Sequence, residues 1–157
     1  MTPEQLRLVR ESYASLGDGA PAMAKEFYRR LFDADPSAQE LFGHGPEIMA
    51  EKFAAELRAI VELAASFNEL APHVRDLALR HVRYGVQTRH YHSVGDALIG
   101  ALGVHLGPAW DAELEAAWRR AYSLVSEMMM DAAAGATATA RPSRQSPGRA
   151  DPGEPTG

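Results

Sequence analysis

A chain of 157 residues has room for one domain with a sizeable core and hardly for two. Its 16 basic and 21 acidic residues give a formal charge of −5, which argues against nucleic acid or an anionic membrane as the main partner. The absence of cysteine excludes disulfides, thiol nucleophiles, iron–sulfur clusters and cysteine-bound zinc.

The N-terminus, Met1 to Arg7, lacks the apolar run of a signal peptide, and no stretch is apolar enough to span a bilayer, so a cytoplasmic location is expected. Thr2-Pro3-Glu4-Gln5 predicts a helix start, with Thr2 as cap, Pro3 at the first helical position and Gln5 completing a capping box. Leu6, Val9 and Tyr13 form its inward stripe, and Gly17 to Gly19 stop it. A second helix begins near Pro21 and turns Met23, Ala24, Phe27 and Leu31 inward, flanked by Tyr28 and Phe32. Asp35-Pro36 caps a short helix ending in Leu41-Phe42, after which Gly43 and Gly45 loosen the chain. From about Pro46 to Ser66 a long helix carries Met49, Phe53, Leu57, Ile60, Val61 and Ala64 inward, with Glu51, Lys52, Glu56 and Arg58 on its flanks or toward solvent.

The next helix is the unusual one. Leu70, Val74, Leu77, Ala78 and His81 recur at helical spacing on one face, so His81 stands where a leucine is expected. Loss of water there disfavours the imidazolium and leaves a neutral ring with a lone pair to donate. Gly85 punctuates this helix. A connector of about five residues leads to His90-Tyr91-His92 and a helix with Val94, Leu98, Ala101, Leu102 and Leu106 inward. Gly107-Pro108 breaks it, and a last helix carries Leu114, Trp118, Ala121, Tyr122, Val125 and Met129. No run alternates with period two, so no strand is expected. From residue 134 to 157 the composition turns to Ala, Gly, Thr, Ser, Pro and Arg, which predicts a disordered tail behind a single all-α domain over residues 1–133.

Catalytic signatures are missing. There is no glycine-rich phosphate loop, no Gly-x-Ser-x-Gly elbow and no His-Glu-x-x-His helix. His90 and His92 diverge by about 200° on a helix and make a poor metal pair; they read as surface or capping residues. His44, His73 and His105 read as solvent-facing, with His44 in a loop that could touch a cofactor's edge. A lone histidine on an apolar face is more often a hydrogen-bonded core residue than a ligand. In a helical domain rich in inward aromatics, haem is the cofactor whose needs match it: one neutral imidazole and a flat apolar slot.

Four segments then occur in a telling order: Phe27-Tyr28-Arg29-Arg30-Leu31-Phe32; Asp35-Pro36 through Leu41-Phe42; Arg80-His81-Val82-Arg83-Tyr84-Gly85-Val86; and His90-Tyr91-His92-Ser93-Val94-Gly95, with Trp118 and Tyr122 beyond. On these the chain, from residue 3 to about 132, resembles a bacterial single-domain globin, related to the globin module of flavohaemoglobins and more distantly to neuroglobin. The resemblance implies an all-α globin fold of six to seven helices around a pocket for haem b. It also implies that His81 is the proximal iron ligand, Phe42 the aromatic wedged against the porphyrin, and Tyr28 the distal hydroxyl that donates to a bound gas. Lys52 resembles a residue that reaches a haem propionate, and Tyr91 one that supports the proximal histidine; Trp118 and Tyr122 read as core. Two departures stand out. Counting back from His81 puts Met49, or one turn later Phe53, where relatives carry a distal glutamine or histidine. Counting on from Trp118 puts Ala133 where relatives carry a carboxylate, with only Asp131 nearby.

The implied function is reversible binding of dioxygen or another diatomic gas at ferrous iron. The alternative is a nitric oxide dioxygenase, which needs its iron reduced each cycle; with no flavin or nicotinamide domain in the sequence, an external reductase is the expected partner. Neither nucleic acid nor a membrane is expected as one.

Overall fold

The computed structural model describes the backbone of residues 1–144 and side chains as far as Ala136. Six α-helices follow one another: α1 (Pro3–Leu16), α2 (Ala20–Ala34), α3 (Pro46–Leu63), α4 (Phe67–Arg83), α5 (Thr88–Leu106) and α6 (Ala112–Arg144), with 3-10 turns at Gly17–Gly19, Pro36–Leu41 and Gly107–Ala109. Among the described residues there is no strand, and no helix is long and apolar enough to cross a membrane.

Local chemistry accounts for most boundaries. The Thr2 hydroxyl accepts from the Gln5 N–H at 3.0 Å while the Gln5 side chain accepts from the Thr2 N–H at 3.1 Å, which satisfies two otherwise orphaned donors of α1. Asp35 precedes the Pro36–Leu41 turn without capping it; its carboxylate accepts from the Ser37 hydroxyl instead, at 2.6 Å. The third helix stops at Leu63, earlier than its pattern suggests, and α4 starts at Phe67 with Pro72 tolerated inside it. At its other end the chain turns sharply. Gly85 takes φ +88°, a conformation that costs any residue with a Cβ, and the His81 carbonyl accepts from both Tyr84 and Val86 N–H. The last helix also departs from expectation, running past residue 133 to Arg144. Five of residues 132–138 are alanine, the strongest helix former, which favours continuation of the helix there. Residues 145–157 of the expected tail lie outside the described residues.

The main core gathers α1, α2, α5 and α6 around Tyr13, Phe27, Leu31, Leu98, Leu102 and Trp118. A second cluster joins α4 to α6 through Leu70, Val74, Leu77 and Met129, with Ile60 and Leu63 of α3 against it. Between α2 and α3 the contact is made by Ala24, Ala50 and Ala54, small side chains that let the two backbones approach. Helices α3 and α4 are thus held by different neighbours, and a cavity is left between them.

Candidate functional site

That cavity encloses about 1130 Å³ and is walled by side chains from every α-helix. Its lining includes Tyr28 from α2, Phe42 from the loop after the 3-10 turn, Met49, Lys52, Phe53 and Leu57 from α3, His81 from α4 and Tyr91 from α5. All seven residues singled out in the sequence as contacts for a cofactor therefore border one space, brought there from positions up to 63 residues apart. The lining is mostly apolar, with few polar groups, the usual character of a small-molecule site.

The position of His81 follows from the α4 stripe. Leu70, Val74, Leu77 and Ala78 are buried and dock the helix, and the next position on that face brings His81 to the cavity wall. Its Nδ1–H donates to the Leu77 carbonyl at 2.8 Å, which fixes the tautomer and leaves the Nε2 lone pair uncommitted. Burial lowers the ring's proton affinity below the ordinary histidine range; the Leu77 bond opposes that shift in part. A neutral imidazole with one oriented nitrogen is the result.

An aromatic cluster forms another part of the cavity wall. Tyr28 lies edge-on to Phe42 (ring centroids 5.2 Å apart) and to Phe53 (5.7 Å), while Phe53 stacks on Phe27 at 4.2 Å. The Tyr28 hydroxyl has no protein partner among the described residues, and burial pushes its pKa up to about 12. It remains a neutral donor in need of an acceptor. Met49 is buried and also lines the cavity, and its thioether donates nothing. Lys52 is exposed at the edge. His44 is also exposed and lines the cavity, as its loop suggested.

Tyr91 lines the α5 side, and its backbone is pinned by α6. The Tyr122 hydroxyl donates to the Tyr91 carbonyl at 2.5 Å, and the Tyr122 ring lies so close to α5 that a Cβ on Gly95 would sit 2.7 Å from it. Tyr122 thus borders the site as well as the core. Trp118 is a core residue whose Nε1–H donates to Ser12 at 2.9 Å.

Two residues depart from their sequence reading. His90 caps as expected, its Nδ1 accepting from the Gln87 N–H at 2.8 Å, but it is buried rather than on the surface. His73 is half-buried instead of solvent-facing, and its partner is Glu56, placed in the sequence reading on a flank of α3. His73 Nε2–H donates to Glu56 Oε2 at 2.5 Å, and both residues line the cavity. A signal existed: Glu56 follows Phe53 by three positions and so falls on the same helix face, as His81 does after Ala78. His92 and His105 are exposed.

Comparison with known proteins follows the same lines. Residues 25–129 match the family model described as Globin. The chain is 29% identical over 133 residues to a flavohemoprotein of Bordetella parapertussis and 29% over 134 residues to one of Chromobacterium violaceum. Each alignment covers 83% of this chain but 33% of the relative, so the chain spans about a third of the length of these proteins. Among solved structures, an engineered carbene transferase from Rhodothermus marinus, described as a nitric oxide dioxygenase, superposes with a TM-score of 0.81 at 30% identity, covering 90% of this chain and 99% of that one. A bacterial globin from Campylobacter jejuni gives a TM-score of 0.77 at 24% identity, with coverage of 87% and 99%.

Proposed function

The chain belongs to the globin family, and from that premise we propose that it binds haem b through His81 and uses the space opposite for a diatomic gas, chiefly dioxygen. The observation that carries this reading is the committed Nδ1 of His81, which leaves one neutral, oriented nitrogen on a largely apolar cavity. The fit is chemical as well as spatial. No group of three or more His, Cys, Asp or Glu side chains among the described residues forms a metal cage, whereas a metal that brings its own equatorial ligands needs a single imidazole. When bound, haem would supply a ferrous iron able to take a diatomic ligand.

The chain's own residues do the rest. His81 holds the metal from the α4 side, and Tyr91 supports the neighbouring wall. Phe42, Met49, Phe53 and Leu57 keep water from the opposite face, as their apolar lining of the cavity favours. Lys52, exposed at the edge, meets the negative charge of a propionate. Tyr28 donates its hydroxyl to a polar guest. Such a bond contributes about 1.5–3 kcal/mol, or roughly tenfold to a hundredfold in affinity. Met49 adds packing and no hydrogen bond, so discrimination among gases rests on Tyr28.

A second reading is favoured by the likeness to flavohemoproteins and to the Rhodothermus protein: nitric oxide dioxygenation, in which one nitric oxide, one dioxygen and one electron yield one nitrate. The electron must come from a reductase in each turnover. Nitric oxide consumption that is sustained with a reductase, well above the rate of autoxidation, separates this reading from simple gas binding.

Titration of the protein with haem tests the common premise. The parent chain is expected to give a saturable Soret band at one equivalent, and His81→Ala a weaker, altered band restored in part by added imidazole. An unchanged spectrum in His81→Ala contradicts the assignment of His81.

A further inference from the structure

Glu56 is a carboxylate to which the binding scheme gives no task. It lies on the α3 face that also carries Phe53 and Leu57, its side chain only 26% exposed, and it lines the cavity. Both of its oxygens are spent on α4. Oε2 accepts from His73 Nε2–H at 2.5 Å, and Oε1 lies 3.5 Å from an Arg80 guanidinium nitrogen. Arg80 is the residue before His81, and His73 lies two turns earlier. The other charged groups lining the cavity are Lys52 on α3 and Glu127 and Asp131 on α6, all exposed, and none forms an ion pair among the described residues.

This arrangement has two physical consequences. Away from the apolar contacts of Ile60 and Leu63, Glu56 is a polar tie between α3 and α4, and it grips the histidine-bearing helix at two points. It also supplies an anion where α4 alone would present only Arg80. Charges in a half-buried site are screened less than on open surface, so their influence on a neighbouring ring survives. Arg80 and Glu56 indeed act on the His81 ring with opposite sign, the first disfavouring its protonated form and the second favouring it.

We propose that Glu56 is the electrostatic positioning residue for His81: it anchors α4 across the cavity through His73 and Arg80, and its charge offsets that of Arg80 beside the metal ligand. The proposal rests on the reading of His81 as the haem ligand. With a metal on His81, an unopposed guanidinium favours the lower oxidation state, whereas the Glu56 carboxylate holds the balance toward the higher one.

The test is the midpoint reduction potential of the haem-loaded protein, measured for the parent, Glu56→Gln, Arg80→Gln, the double variant and Glu56→Asp. Glu56→Gln is expected to raise the potential and Arg80→Gln to lower it. The double variant should return close to the parent, and Glu56→Asp, which keeps the charge, should stay close to the parent. Changes of several-fold in the ferrous-to-ferric equilibrium are expected for each single variant. If Glu56→Gln does not fold, the Arg80→Gln and Glu56→Asp results still decide. Potentials that do not move, or that move the same way in both charge-removing variants, overturn the proposal and leave Glu56 a structural tie. Failure of the underlying reading looks different, because His81→Ala would then bind haem with the parent's spectrum.

Discussion

Tyr28 stands among four phenylalanine rings, those of Phe27, Phe32, Phe42 and Phe53, with centroids 4.9–5.7 Å from its own. Tyr28 is half-buried on the cavity wall and its hydroxyl finds no acceptor among the described residues, so it is placed to donate to a polar group that enters the cavity. Replacement by phenylalanine keeps the packing and removes the donor. Stopped-flow measurement of Tyr28→Phe should therefore show dioxygen leaving about 10- to 100-fold faster than from the parent, with little loss of thermal stability. Because burial pushes the Tyr28 pKa up to about 12, the hydroxyl stays protonated at neutral and mildly alkaline pH, and the contrast should persist between pH 7 and about 10. A variant that releases dioxygen no faster assigns the hydroxyl another role. His81 was legible because it extends an apolar stripe, whereas Tyr28 and Phe42 were singled out only through the resemblance to bacterial globins. Glu56 and His73 were not legible: each looks like an ordinary surface charge until the other helix is placed beside it.

At the scale of elements, the register between α5 and α6 is set by a missing side chain. Gly95 lets the Tyr122 ring lie against α5, where its hydroxyl reaches the Tyr91 carbonyl. Gly95→Ala would place a methyl carbon 2.7 Å from the ring, and the ring is tied by its hydrogen bond and cannot move freely. Urea melts should show a loss of about 1–3 kcal/mol. The same variant should also bind haem less tightly, because Tyr91 shares the cavity wall. An unaltered midpoint would mean that α5 and α6 part without cost. Helix starts and stops were readable wherever one residue dictates backbone geometry, as at Thr2, Gly85 and Gly107. The end of α6 was not, since composition suggested a tail while alanine propensity favours continuation of the helix, which runs on to Arg144. The end of α3 came at Leu63 rather than near Ser66 for a related reason: Ser66 and Phe67 carry little signal, and the exposed Phe67 belongs to no stripe.

For the molecule as a whole, the all-α class and the inward faces followed from periodicity, but the cavity did not. Periodicity says which side of a helix is apolar and is silent on whether facing apolar sides meet. Here α2 and α3 close through alanines, while α3 meets α4 through Ile60 and Leu63 and through the charge of Glu56, and the space left beside these contacts is the candidate site. The pieces of the family pattern bridged that gap only because their order along the chain fixes which faces confront one another. His81 as the iron ligand, with the rest of the pocket open to a gas, is the assignment to test. The absorption spectrum of the haem-loaded protein, reduced under nitrogen and then exposed to dioxygen, tests this most directly. A broad five-coordinate ferrous spectrum that converts to a stable oxygenated one is the predicted result. Sharp six-coordinate bands before any gas is added would mean that a side chain, Met49 first, already fills the open position, and the absence of a Soret band would return His81 to the role of a core histidine.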